Sequence, residues 1–188
     1  MKRLLVLIIG VLGLSMACRA AEYTIDPNHS KVIFRIKHLS ISTVTGHFPK
    51  FSWTFDVDPA NLKNLKASAT IETASIDTAV PDRDKHLKGP DFFDAEKFPQ
   101  MSFVGKEIKD VQGNKLSIAG DLTMRGITKP VILSAEFGGA VKDPWGNERA
   151  AFTATAAINR KDFGMTWNKT LDAGGLMLGE EVQILIEV

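Results

Sequence analysis

The stretch Leu116-Ser117-Ile118-Ala119-Gly120-Asp121-Leu122-Thr123-Met124-Arg125 decides the fold. Leu116, Ile118, Gly120, Leu122 and Met124 fall on one side of a two-residue period, and Ser117, Asp121, Thr123 and Arg125 on the other. That is the signature of a strand with one apolar and one wet face. Working outward, the same period governs Val32, Phe34, Ile36 and His38, then Phe51, Trp53, Phe55 and Val57, then Leu65, Ala67, Ala69 and Ile71. Met101 and Phe103 begin a further strand, and a Gln112-Gly113-Asn114 turn leads into the quoted one. Val131 to Phe137, Ala150 to Ile158 and Val182 to Val188 follow, with a turn at Lys142 to Asn147. The pattern predicts about eight strands.

Antiparallel strands in that number form either a closed up-and-down barrel or a two-sheet sandwich. Ala67, Ala69, Gly120, Ala135, Ala154 and Ala156 all stand on the alternating apolar face, where a tightly filled sandwich core prefers larger side chains. Small residues there leave space, and an eight-stranded barrel is just wide enough for one slim ligand. The expected fold is therefore all-β, an eight-stranded antiparallel lipocalin-like barrel. Residues 77–99 break the period: they are charged, hold Pro81, Pro90 and Pro99, and contain Arg83-Asp84-Lys85-His86-Leu87, which suits one or two helical turns. They read as a long crossover loop carrying short helical turns, a length uncommon except in lids and binding elements. Residues 161–180 form a second, shorter irregular stretch.

The N-terminus reads separately. Lys2 and Arg3 precede an apolar run from Leu4 to Leu14, and small residues follow at Ala17, Ala20 and Ala21, the layout of a secretory signal peptide. The run is too short to span a bilayer, which needs roughly 20 apolar residues. Cleavage after Ala20 is expected, leaving one domain over residues 21–188 and placing it in the periplasm. Acylation of Cys18 would want a large aliphatic residue three positions earlier, where Ser15 stands. Loss of Lys2, Arg3 and Arg19 leaves 20 basic against 22 acidic residues. That balance offers no basic face for nucleic acid and no polybasic patch for anionic lipid heads, so membrane contact is expected to be transient at most. The chain's one cysteine leaves with the leader, which excludes thiol catalysis, disulfide exchange and a cysteine-ligated metal in the exported domain.

Several motifs come in a telling order: Asp26-Pro27-Asn28-His29-Ser30, Val32-Ile33-Phe34 with His38, Gly46-His47-Phe48, Arg83 to Leu87, Asp91-Phe92-Phe93-Asp94, Phe98-Pro99, Gly120 to Gly126, and Asn159 to Gly164. The ordered set resembles the YceI-like family over Tyr23 to Val188. The resemblance implies a lipocalin-like antiparallel barrel in the periplasm that binds a polyisoprenoid or similarly long chain; quinone-type lipids and small amphiphiles suit such a barrel too.

His29, His38, His47 and His86 show no paired spacing that sets ligands on one face, so neither metal nor cofactor is expected. Ser30 and His29 are neighbours on a strand, point to opposite faces and form no Ser-His relay. His38 is in register with Phe34 and Ile36 and is placed inward, as a structural or ligand-contacting residue. Arg83 either braces a helical turn with Asp84 or meets a polar head group at a barrel mouth, which its fork of donors suits. Asn159-Arg160, followed by Asp162-Phe163-Gly164 where a strand leaves the barrel, either lock that exit by hydrogen bonds or touch ligand. Phe34, Phe48 and Phe103 either pack the core or line a cavity, and Phe92-Phe93, two rings in a charged loop, need a surface to cover.

Burying a prenyl chain of ~40 carbons at about 0.8 kcal/mol each is worth on the order of 30 kcal/mol against water, but a bilayer offers the same transfer. The balance then rests on head group and fit, which suits a carrier. The sequence-level expectation is a non-enzymatic periplasmic carrier of an isoprenoid or similar lipid. Two other classes stay open: a lipid-modifying enzyme using Asp84 or His38, and an interaction module whose barrel is filled by its own side chains and docks a membrane partner. Exposed strand edges make a homodimer as consistent with the sequence as a monomer.

Overall fold

The computed structural model describes residues 21–188 apart from 59, 172 and 173. The expected leader, with Cys18, lies outside the described residues. The strands are β1 (Ala21–Thr24), β2 (Lys31–His38), β3 (Ser42–His47), β4 (Phe51–Val57), β5 (Lys66–Glu72), β6 (Gln100–Gln112), β7 (Lys115–Met124), β8 (Ile127–Lys142), β9 (Glu148–Asn159) and β10 (Leu178–Glu187), with one helix, α1 (Pro81–Lys88). They form a single sheet in the order β1-β4-β5-β6-β7-β8-β9-β10-β2-β3, every neighbouring pair antiparallel.

The all-β expectation holds, but the count of eight does not: there are ten strands. The two that sequence reasoning missed are the outer edges. β1 is only four residues long. β3, Ser42-Thr43-Val44-Thr45-Gly46-His47, carries one large apolar side chain and so shows no two-residue period. An edge strand has one neighbour and needs less apolar surface, which is why its sequence is quiet. The sheet curls into a half-barrel, and where β3 turns into β4 its end is tied to β2 and to the segment after β5. There Phe48 N–H donates to Val32 O at 3.0 Å, and His47 and Asp77 exchange backbone hydrogen bonds of 2.9 and 3.0 Å.

Curling brings distant strands face to face. At one end an aromatic column fills the interior: Trp53 stacks on Phe55 at 5.4 Å, Phe55 on Phe152 at 5.2 Å, and Phe152 meets Phe137 at 4.9 Å. The small apolar-face residues are largely the counterparts of these rings. Ala67 lies opposite Phe55, and Ala69 opposite both Trp53 and Phe103. A Cβ on Gly120 would stand 2.5 Å from Phe103 Cζ, and one on Gly46 would collide with the Phe34 ring. The space left by Ala67, Ala69 and Gly120 is thus taken up largely by aromatic rings, and of the six small positions only Ala69 lines the interior cavity.

β8 and β9 pair from Ser134–Thr155 to Lys142–Glu148 and then part. Beyond that point β8 pairs only with β7, and Ala156 to Asn159 only with β10. Pro130 sits in this half-paired part of β8, where its missing donor costs no ladder bond to β9. A 3-10 turn, Arg160–Phe163, packs against both β8 and β10 in the split, with Phe163 only 1 % exposed.

Two predictions follow from packing and from the β8–β9 turn. Gly120→Ala drives a methyl into Phe103 and should cost about 1–3 kcal/mol, read as a melting temperature lower by roughly 2–12 °C; an unchanged melting temperature contradicts the packing described. In the turn, burial raises the Asp143 carboxyl, but hydrogen bonds from the Asn147 side chain and backbone, from Arg149 and from the Trp145 N–H outweigh it and hold the group at about 2. Because the folded value is depressed, the stabilisation is complete above the ordinary carboxylate range and lost as pH falls through about 2. Amide exchange at Trp145 and Asn147 should therefore stay slow at pH 4 in wild type and be fast already at that pH in Asp143→Ala.

Candidate ligand cavity

Above the aromatic column the interior is open as a cavity of about 430 Å³, within the roughly 300–1,000 Å³ usual for small-molecule sites. One wall is a ladder of inward cross-strand pairs between β2 and β10: Val32 with Ile186, Phe34 with Ile184, Ile36 with Val182, and His38 with Leu178. Burial falls along it. Val32 and Ile186 are buried, whereas Ile36, His38 and Leu178 are half-exposed, so the cavity is shut at the column and opens towards His38 and Leu178. Ile158 of β9, paired with Val182, and Val131 and Leu133 of β8 continue this wall where those strands part, and Trp53 and Phe103 reach in from β4 and β6.

The mouth is roofed by the irregular segments. α1 starts with Pro81 in its first turn, has Asp82 and Asp84 at the amino end and Lys85, His86 and Lys88 at the carboxyl end, and stops at Gly89. This distribution suits the helix dipole and the fixed φ of proline. Arg83 Nε donates to Thr78 Oγ1 at 2.7 Å and Nη2 to Thr78 O at 2.8 Å. Asp84 Oδ1 accepts from Thr78 N–H at 2.9 Å and from its hydroxyl at 2.5 Å. The two charged residues therefore brace the helix to the Thr78 turn. After α1, Arg125 from the β7–β8 turn donates to Pro90 O at 2.9 Å and to Phe92 O, pinning the segment that carries Phe92 and Phe93. Phe92, His86 and Trp167 then meet in a cluster, His86 edge-on to both rings at 5.0 Å, and His86 Nε2 pairs with Asp91 at 2.9 Å. Phe93 packs edge-on to Phe48 at 5.6 Å, and Phe48 lies 5.6 Å from Phe34.

Eight of the ten side chains singled out from sequence border this one cavity. Phe34, Ile36, His38, Phe48 and Phe103 come from the strands and their ends, and Arg83, Phe92 and Phe93 from the roof. Asp84 and Asn159 do not. Asp84 faces the outer side of α1 and is taken by Thr78, and Asn159 caps the 3-10 turn by accepting from Lys161 N–H at 2.9 Å. Other lining residues escaped sequence reasoning, chiefly Trp167 and Met177, whereas Arg160, read with Asn159 as a strand-exit lock or a ligand contact, does line the cavity. Trp167 and Met177 lie in the irregular stretch, where no period flags an inward side chain.

Arg160 is the unusual member, only 2 % exposed. Its Nε donates to Gly179 O at 2.8 Å, and Nη1 to Met165 O at 2.5 Å and Trp167 O at 2.9 Å. Burial pushes its pKa below the ordinary arginine value, against the pull of Glu180. The remaining histidines are dispersed: His29 pairs with Asp26 at 3.0 Å, and His47 is on β3 with its side chain exposed. Among the described residues no three metal-ligating side chains converge.

An apolar cavity inside a curled antiparallel sheet, roofed by α1 and its following segment, is the arrangement in which the comparisons with known proteins can be placed. The model of the YceI-like domain matches residues 23–188. The chain belongs to the YceI-like family. Protein YceI of Salmonella newport is 44% identical over 171 residues, covering 90% of this chain and 86% of that one. A solved YCEI protein of Campylobacter jejuni is 37% identical, with a TM-score of 0.70 over 81% of this chain and 87% of that one. BcnA of Burkholderia cenocepacia, 28% identical, superposes with a TM-score of 0.76 over 87% of this chain and 97% of that one. A polyisoprenoid binding domain from Saccharophagus degradans shares the fold of this YceI-like chain at a TM-score of 0.61 with 11% identity, covering 90% of this chain and 97% of that domain.

Thr78→Val tests the bracing of the roof. It removes one acceptor from Arg83 and one donor from Asp84, and should cost about 1–3 kcal/mol in urea unfolding while hydrogen exchange in α1 rises more than in β4–β7. Equal acceleration everywhere argues against a local brace.

Proposed function

We propose that this protein is a periplasmic carrier that holds a long-chain isoprenoid, or a similar quinone-type or amphiphilic lipid, inside the half-barrel. The observation that carries the proposal is the cavity itself: a slot whose walls are almost wholly aliphatic and aromatic, closed at one end by the Trp53–Phe55–Phe152 column and open at the other. Water gains little there, and apolar chain gains about 25 cal/mol for each Å² it hides. Family membership supports the same reading, as does the neighbour described as a polyisoprenoid binding domain. Placement in the periplasm rests on the leader read from residues 1–20.

The enzyme reading fits less well. Asp84 is turned out of the cavity and committed to Thr78, and His38 stands at the mouth facing Leu178 rather than an acid. The reading as a docking module required an interior filled by its own side chains, and only the column end is filled.

Mass spectrometry of an organic extract of protein purified gently from its native compartment should show a stoichiometric prenyl or quinone species that is absent after denaturation and refolding. Ile36→Trp, which puts an indole part-way up the β2 wall, should keep the fold by circular dichroism and weaken binding of a fluorescent prenyl probe at least about tenfold. Unchanged affinity in that variant, or a protein that stays empty after incubation with total membrane lipid, would sink the proposal.

A further inference from the structure

The cavity is not uniformly apolar, and the most deeply buried of its polar lining residues bonds no acid among the described residues. Arg160 lines the cavity, is almost fully buried, and spends Nε and Nη1 on three backbone carbonyls. Its Nη2 is buried with no hydrogen-bond partner among the described residues. None of the groups it bonds is a carboxylate; the acid closest in charge, Glu180, is held by Lys161 at a half-exposed position. The guanidinium is thus held rigidly on one side by the backbone and left unsatisfied on the other, in surroundings where an unmatched cation is costly. Trp53 Nε1, a second donor among the lining residues, is buried and without an acceptor as well. An empty apolar slot needs neither donor.

We propose that Arg160 is the head-group anchor of the cavity, its Nη2 taking an oxygen of the bound lipid, so that the cargo is an oxygen-bearing prenyl lipid rather than a hydrocarbon. This rests on the carrier reading above and specifies its ligand. The position suits the task. Arg160 bonds Gly179, which stands on β10 between Leu178 at the mouth and Val182 lower down the wall, while Trp53 stacks on the column at the closed end. A head group at Arg160 leaves the tail running along the β2–β10 ladder towards Trp53. The head-group oxygen displaces the atoms that cover Nη2 in the empty cavity. A phosphate or a quinone carbonyl meets the requirement equally, since both present a strong acceptor to a planar N–H donor.

The test uses the wild-type protein and four probes with the same prenyl length: geranylgeranyl phosphate, geranylgeraniol, menaquinone-4 and phytane. Affinities are measured by displacement of a fluorescent lipid in one fixed detergent, and the Arg160 side-chain N–H resonances are followed by NMR, assigned by their absence in Arg160→Lys. The expected result is binding of the phosphate, the quinone or both at least about tenfold tighter than phytane, with the Arg160 signals moving for the tight probes and still for phytane. Tightest binding of the phosphate identifies an anionic head, and a quinone matching it identifies a carbonyl acceptor. Phytane binding as well as the oxygenated probes, or Arg160 signals unmoved by any bound probe, overturns the anchor while leaving the carrier standing. Binding of none of the four overturns both.

Discussion

The split between β8 and β9 creates the problem that the rest of this structure is arranged around, and the Arg160 guanidinium is what closes it. Two strands that pair over half their length and then diverge leave unpaired backbone and a gap in the wall of a hydrophobic interior. A 3-10 turn with Phe163 fills the gap, but the residues leaving it belong to no strand, and the carbonyls of Met165 and Trp167 need side-chain donors. Arg160 supplies them, gathering carbonyls from residues 165, 167 and 179 onto one side chain. Without that gathering, Trp167 would have no fixed place beside His86 and Phe92, and the roof would lose one of its three rings. The widening that makes room for a ligand and the charge that repairs it are parts of one arrangement.

The aromatic column sets the other limit. A curled sheet of ten strands encloses more space than aliphatic side chains fill at native density, and here the surplus is divided unevenly. Stacked rings opposite alanine and glycine take up the end near Phe55 and Phe152, so stability is concentrated where no ligand goes. The mouth end is left with aliphatic walls and a roof held by polar contacts to Thr78 and Arg125. A protein that must admit and release a guest gains from this division, because loosening of the roof does not propagate into a separately packed floor.

How much of this was legible in the sequence follows from what a two-residue period reports. It marks strands that bury one face, so the eight strands with large alternating residues were readable, and the inward set Phe34, Ile36, His38 and Phe103 came with them. It is silent on β1 and β3, which bury little, and on residues 161–180, whose inward side chains are placed by loop geometry. Arg160 was visible as part of a motif at a strand exit but not as a buried cation, because nothing local distinguishes it from a solvated arginine. Small residues on the apolar face were legible as a deviation from ordinary core composition. What they accommodate was not, since a neighbouring ring and a guest lipid leave the same trace in one strand.

On the proposed reading as a lipid carrier, the same physics limits what the protein can do. Transfer of a prenyl tail from bilayer to cavity exchanges one apolar medium for another, so the tail contributes affinity against water and almost none against a membrane. Net preference then depends on groups that a membrane interior does not offer. A fixed, dehydrated donor is such a group, because hydrocarbon has no donors and interfacial water supplies only mobile ones. Its contribution is limited by the cost of stripping the head group of its own hydration, which keeps the difference small. A carrier built on these terms would exchange its guest with membranes in either direction according to supply, and its direction of transport would be set by what loads and unloads it rather than by the barrel.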